Sequence, residues 1–199
     1  MKGRLLACAL LLSTPVTASV TALAAPAEWQ FKPFFGATFA GNTTLLDWES
    51  AAGNVHPAVG VSTLLIGDML GIEADFGTMP GYFSAGLNKV VRSGVTTLSG
   101  NVVIAVPQHL TQYTLRPYFV GGGGLIHAHS ELFLDPLPVS TTRPAIDIGG
   151  GVTGFLTRRV GLNWDLRYFR TLGGAGRGIS IGPEQLSFWR ASMALAIRR

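Results

Sequence analysis

The chain has 199 residues, enough for one domain behind a short leader and too few for two domains of ordinary size. Only 13% of the residues are charged and 26 are glycine, whereas roughly a quarter of a soluble domain is charged, so the composition disfavours an ordinary soluble surface. The net charge is +4, and the basic residues form no run longer than the pairs Arg158-Arg159 and Arg198-Arg199. This excludes the electrostatic footprint of a nucleic-acid-binding protein.

The first element in chain order is an export signal. The chain opens with a short basic segment, continues with an apolar stretch over residues 5–12, and reaches an A-x-A cleavage site at Ala22 and Ala24. We therefore predict a signal peptide over residues 1–24 and one mature domain over residues 25–199. The single cysteine falls within the leader, so the mature domain has no disulfide and no thiolate metal site.

Eight apolar-rich segments follow, separated by turn residues, and none is a continuous apolar run of 18 residues that would indicate a spanning helix. The predicted strands are 29–39, 57–66, 70–79, 95–106, 114–129, 144–156, 160–171 and 185–197. Their connections alternate between long and short without exception. Outer-membrane barrels show this asymmetry, with long external loops and short periplasmic turns. The sequence therefore predicts an all-β, eight-stranded, antiparallel, up-and-down transmembrane barrel.

Alternation within the strands predicts which side chains face each side. In "GLNWDLRYFR", residues 161–170, apolar and largely polar positions alternate, so they lie on opposite faces of a strand. The low charge content and the export signal favour lipid outside and polar groups within. The predicted lipid-facing residues are Leu162, Trp164, Leu166, Tyr168, Trp189 and Leu195. The predicted polar network of the lumen contains Glu73, Asp75, Asn101, Asp147, Asn163, Asp165, Arg167 and Arg190.

Charges in the lumen of so narrow a barrel must be paired, because an isolated charge away from water is costly. We therefore expect an internal salt-bridge network. The cations available to it are Arg167, Arg190, Arg116 and Lys32.

Four motifs in order carry a family resemblance: "GIEADFG" with the following "PGYF", then "LSGNVVIAVP", "RPYFVGGGG" and "RVGLNWDLRYFR". Together they resemble the eight-stranded outer-membrane β-barrel domain family, related in fold to the outer-membrane protein A barrel. The resemblance implies an integral barrel in the bacterial outer membrane. It also implies periplasmic termini and, as partners, outer-membrane lipids and the barrel-assembly machinery. The chain departs from the family by ending in "MALAIRR" without a terminal aromatic, and no peptidoglycan-binding domain follows the barrel.

Two other patterns suggest chemistry. His127 and His129 share one strand face, as metal ligands or a catalytic base would require. However, Ser130 falls on the opposite face, which breaks the His-x-Ser pattern of lipid A deacylases, and two histidines make a weak metal site. The glycine runs "VGGGGLI" and "IGGGVTG" precede no amphipathic helix, so they are strand segments of a tight barrel rather than phosphate loops. We predict no catalytic residue, metal or cofactor.

The sequence thus favours a non-enzymatic outer-membrane barrel with a structural or surface-interaction role. Its external partner is undefined. Apolar residues in the second and third long connections are candidates for contact with a partner or lipid, namely Phe83, Leu87, Val90, Leu132, Phe133, Leu134 and Leu137. Two alternatives stay open: a lipid-modifying barrel enzyme, and a soluble periplasmic barrel that binds an apolar ligand.

Overall fold

A computed structural model describes residues 27–43, 54–82, 90–111, 115–132, 135–172 and 185–199. The predicted signal peptide lies outside these residues. Eight antiparallel strands pair in sequence order, and β1 also pairs with β8, so the sheet closes into a barrel. The predicted eight-stranded, antiparallel, up-and-down barrel is therefore confirmed.

The strands have lengths of 11 to 21 residues. They are β1 Glu28–Thr43, β2 His56–Ile66, β3 Leu70–Pro80, β4 Val90–Ala105, β5 Leu115–Leu132, β6 Asp135–Phe155, β7 Val160–Thr171 and β8 Leu186–Arg198. A short 3-10 turn, Gln108–Leu110, lies between β4 and β5. Among the described residues, no helix has the length and apolar character needed to cross a membrane.

Four strands, β1, β4, β5 and β6, extend by three or more residues beyond their predicted bounds at the end of the barrel where the connections are long, here called the long-connection end. In particular, β5 pairs with β6 as far as Leu132 and Asp135. The prediction of a long loop over residues 130–143 was therefore wrong, because most of this segment is strand. Its prolines and serines suggested a loop. Within the described residues this part of β6 pairs with β5 alone, since β7 pairs only as far as Thr171, opposite Ala145, and proline is tolerated in such an edge strand.

Glycines allow the strands to approach closely where the wall curves. Gly122 lies between Asn101 of β4 and Asp147 of β6. A Cβ atom on Gly122 would overlap the side-chain oxygen of Asn101 and the carbonyl oxygen of Gly100. The glycine run of β5 therefore gives close backbone packing in a strand, as the sequence suggests, and is not a ligand-binding loop.

Substitution of Gly122 by Ala should destabilise the barrel by about 1–3 kcal/mol, because the added methyl group has no room beside the backbone. Gly100 is the matched control, since a Cβ there meets no atom within 4 Å, and Gly100→Ala should leave stability nearly unchanged. The free energy of unfolding, from urea titration in detergent micelles, measures both. Equal effects would contradict the close approach at Gly122.

Candidate functional site: the closed barrel interior

The interior of the barrel is filled in three layers. An apolar layer near the long-connection end includes Met79, Val95 and Phe188, each with no exposed surface. A second apolar layer, which includes Leu64 and Val103, lies near the opposite or short-turn end. Buried charged and polar side chains lie between the two layers. The apolar layer near the long-connection end draws side chains from β2 to β8 and covers that side of the polar interior, whereas the second layer comes from β2, β4 and β5.

Tyr82 belongs to the apolar layer near the long-connection end and lies just beyond the end of β3. Its ring centroid is 5.5 Å from that of Phe188 and 4.9 Å from that of His56. Burial raises the pKa of the Tyr82 phenol well above its usual value. The ring therefore helps to cover the interior in its neutral form.

A bidentate ion pair crosses the lumen between strands that are not neighbours. The guanidinium of Arg190, on β8, donates two hydrogen bonds of 2.9 Å to the carboxylate of Asp75, on β3. The same guanidinium lies 4.4 Å from the ring centroid of Phe34 and 4.9 Å from that of Phe169. Because Arg190 and Asp75 are each 1% exposed, this charge pair is almost fully removed from water.

A second cluster of ion pairs centres on Glu73, also on β3. Lys32 of β1 contacts one carboxylate oxygen of Glu73 at 2.8 Å, and Arg167 of β7 contacts the other at 2.7 Å. Arg167 also donates to both oxygens of Asp165, at 2.6 and 3.0 Å. Three strands are therefore linked through one buried carboxylate.

Uncharged side chains complete part of this network. The Tyr118 hydroxyl donates to Asp165 at 2.6 Å, and the Asn163 amide donates to the Tyr118 oxygen at 2.9 Å. The Asn101 amide donates to Ser99 at 3.2 Å. Tyr118 was not predicted as a member of this network, although alternation along β5 places it on the inward face.

Asp147 is buried at 3% exposure but is only loosely paired. Neither of its carboxylate oxygens has a hydrogen-bond partner among the described residues, and the nearest recorded cation is the Arg167 guanidinium at 3.8 Å. The charged groups of this middle layer are the cations Lys32, Arg167 and Arg190 and the carboxylates Glu73, Asp75, Asp147 and Asp165. In this layer the carboxylates outnumber the cations by one.

Arg116 is not part of the network, contrary to expectation. Its guanidinium donates instead to the backbone carbonyls of Gly67, Asp68 and Val106. Arg116 lies two residues nearer the short-turn end of β5 than Tyr118, which contacts Asp165. Its guanidinium therefore holds the short turns, and no ion pair between it and a carboxylate of the network is recorded in the described part of the chain.

The outer wall carries the apolar row. Trp164 and Leu166 are 45% and 44% exposed, whereas Asp165 between them is 7% exposed. Leu162, Tyr168, Trp189 and Leu195 share the outward face. The rings of Tyr168 and Trp189 lie 5.2 Å apart across β7 and β8. This is the reverse of a soluble barrel, in which the apolar row would fill the centre.

His127 and His129 lie on the outer face of β5 and are exposed. Their rings are 6.2 Å apart, and Nδ1 of His127 is 2.8 Å from the Thr142 hydroxyl. No group of three possible metal ligands occurs within the described ranges. The side chains of Ser130, Val90, Leu132 and Leu137, and residues Phe83, Leu87, Phe133 and Leu134 altogether, lie outside the description.

Comparisons with known proteins identify the fold. No family model and no curated protein matches the chain. Among solved structures, Neisserial surface protein A is 14% identical with a TM-score of 0.62, and the match covers 87% of this chain and 97% of that one. The chain has the fold of the eight-stranded outer-membrane barrels.

Two further structures support this assignment. The outer membrane protein OprG of Pseudomonas aeruginosa is 10% identical with a TM-score of 0.58, and the match covers 88% of this chain and 97% of that one. The N-terminal β-barrel domain of OprF from Pseudomonas aeruginosa is 14% identical with a TM-score of 0.51, and the match covers 88% and 99%. At these identities the likeness concerns the fold alone.

The charge imbalance predicts different outcomes for two similar substitutions. Asp75→Asn should cost about 3–5 kcal/mol, because it leaves the buried Arg190 guanidinium without its charge partner. Asp147→Asn should change stability by less than about 1 kcal/mol. It leaves no cation without its partner, and a buried amide needs fewer favourable contacts to offset its desolvation than a buried carboxylate does. Urea unfolding followed by tryptophan fluorescence measures both variants. Equal losses would mean that Asp147 is as firmly paired as Asp75.

Proposed function

We propose that this chain is an integral barrel of the bacterial outer membrane, with a structural or surface-interaction role and no catalytic activity. The observation that carries the proposal is the apolar outer wall. Large hydrophobic side chains on every strand project outward with substantial exposure, for example Phe35 at 60%, Ile72 at 63% and Phe119 at 76%. A patch of this extent, continuous around a barrel, requires hydrocarbon rather than water as its solvent.

The packed interior limits what the barrel can do. The seven ionic side chains of the lumen are only 1–7% exposed, and an apolar layer drawn from β2 to β8 lies above them toward the long-connection end. Buried carboxylates and guanidinium groups that neutralise one another stabilise the fold, and a catalytic pair would need a cleft that admits substrate. This supports a role for the ends and the wall of the barrel rather than for its lumen.

The orientation follows from the connections. Both ends of the described chain, at Ala27 and Arg199, lie at the short-turn end, since β1 begins there and β8 finishes there. Short turns are periplasmic in barrels of this kind. We therefore propose periplasmic termini, external long connections that supply any surface recognition, and contacts with outer-membrane lipids and the barrel-assembly machinery.

The role of the outer wall can be tested with a charged substitution. Leu166 lies near the middle of β7 and is 44% exposed. In a membrane, Leu166→Arg should cost about 2–4 kcal/mol and reduce folding into phosphatidylcholine vesicles. Leu110→Arg is the matched control, because Leu110 is 66% exposed in the 3-10 turn outside the strands. We expect it to fold normally.

The readout is the fraction of barrel that keeps its folded, faster migration on an unheated denaturing gel after mixing with vesicles. If Leu166→Arg folds as well as Leu110→Arg, or if the parent protein is extracted from bacterial membranes by carbonate, the outer wall does not face lipid. Either result would refute the proposed location.

A closed interior also predicts the absence of steady conductance. The purified barrel in a planar lipid bilayer should give no stable channel current, because Met79, Val95 and Phe188 close one end of the lumen. A control in the same bilayer should use a conducting porin. Long-lived current steps from the barrel alone would show that this apolar layer does not seal the lumen.

A further inference from the structure

Two arginine pairs that are far apart in the sequence meet at the short-turn end of the barrel. Arg158 and Arg159 lie in the turn between β6 and β7, and Arg198 and Arg199 lie at the end of β8. The backbone nitrogen of Arg198 donates to the carbonyl of Arg159 at 2.9 Å, and Nε of Arg198 donates to the carbonyl of Arg158 at 2.5 Å. The turn and the strand end are thus held together, and their guanidinium groups share one rim.

These arginines line a groove, here called the arginine groove, with a volume of about 770 Å³. Its other lining residues are Ala27, Glu28 and Ile197. Glu28 pairs with Arg198 at 3.3 Å, and Arg198 also lies 4.1 Å from the ring centroid of Phe155.

The remaining three arginines of the groove are exposed, and within the described part of the chain no ion pair joins Arg158, Arg159 or Arg199 to a carboxylate. The groove therefore carries an excess of positive charge.

Exposed apolar side chains border this positive charge. Leu156 is 75% exposed in the same turn, Trp29 is 54% exposed on β1, and Ile197 is 41% exposed within the groove itself. Cationic groups at the edge of an apolar wall match a molecule with an anionic head and hydrocarbon chains. A small soluble anion would use the guanidinium groups but would leave these apolar side chains uncovered.

We propose that the arginine groove binds the phosphate headgroup of an anionic phospholipid from the leaflet at the short-turn end. Guanidinium groups bind phosphate oxygens through paired hydrogen bonds, and arginines near a membrane surface attract anionic lipids. The acyl chains lie along the apolar wall beside Ile197 and Trp29. This inference rests on the proposed membrane location, because a barrel outside a bilayer meets no such leaflet.

The test compares lipids at the surface of the reconstituted barrel. The protein is folded into phosphatidylcholine bilayers that contain traces of spin-labelled phosphatidylglycerol or spin-labelled phosphatidylcholine. Electron spin resonance then gives the relative affinity of each lipid for the protein. We expect a preference for phosphatidylglycerol that falls by up to about fivefold for each guanidinium removed at low ionic strength and weakens in high salt.

The test variants are Arg159→Gln and the triple variant Arg158→Gln, Arg159→Gln, Arg199→Gln, which keep the Arg198–Glu28 pair. Arg170→Gln is the matched control, because Arg170 is exposed on β7 near the long-connection end. The preference should fall in Arg159→Gln, disappear in the triple variant and persist in Arg170→Gln. Folding of each variant is checked by its migration on an unheated gel.

Three outcomes would overturn the inference. The first is an equal affinity of the parent barrel for both lipids, and the second is an equal loss in Arg170→Gln. The third is a loss of the preference when 10-fold more inorganic phosphate than protein is added, which would indicate a site for a soluble anion. Failure of the parent protein to enter phosphatidylcholine bilayers would instead refute the proposed membrane location, so the two failures are distinguishable.

Discussion

The contacts between strands that face one another across the lumen depend on two carboxylates of one strand. Glu73 and Asp75, two residues apart on β3, receive the cations of three other strands: Lys32 from β1, Arg167 from β7 and Arg190 from β8. None of these strands is hydrogen-bonded to β3. Backbone pairing fixes neighbouring strands, whereas these ion pairs fix strands that face one another. Because these five side chains are only 1–4% exposed, water cannot readily replace a lost partner.

The need to pair every buried charge also limits which side chains the interior can accept. Gly122 leaves room for the Asn101 side chain to lie against the wall, and the Tyr118 hydroxyl occupies the space beside Asp165. A larger residue at Gly122 would displace groups whose hydrogen bonds have no alternative. The glycine-rich strands and the paired charges are therefore linked. Close approach of the backbones makes the lumen narrow, and charged side chains in a narrow lumen must pair with one another.

Much of the architecture could be predicted from the sequence, because a period of two and the alternating connection lengths are local signals. Strand β7 has the predicted bounds of 160–171. The position of each inward side chain along the barrel axis, which decides its partners, could not be predicted in this way. Arg116 and Arg167 both face inward, yet Arg116 binds carbonyls of a short turn whereas Arg167 binds Glu73, and alternation does not record how far along the barrel a side chain lies. The loose pairing of Asp147 was likewise invisible, because it depends on the arrangement of opposite strands.

The ends of the strands were harder to predict for a different reason. Proline, serine and threonine are turn formers, so residues 135–143 of β6 were predicted as loop, although the structure pairs this segment with β5 and an edge strand accepts proline. The arginine pairs at 158–159 and 198–199 were visible as sequence features, and their meeting follows from the barrel itself. The start of β7 must lie beside the end of β8, as Val160 and Ile197 do. The meeting of the two arginine pairs is therefore set by the pairing of β7 with β8 and by the closure of the sheet, and no local sequence signal records it.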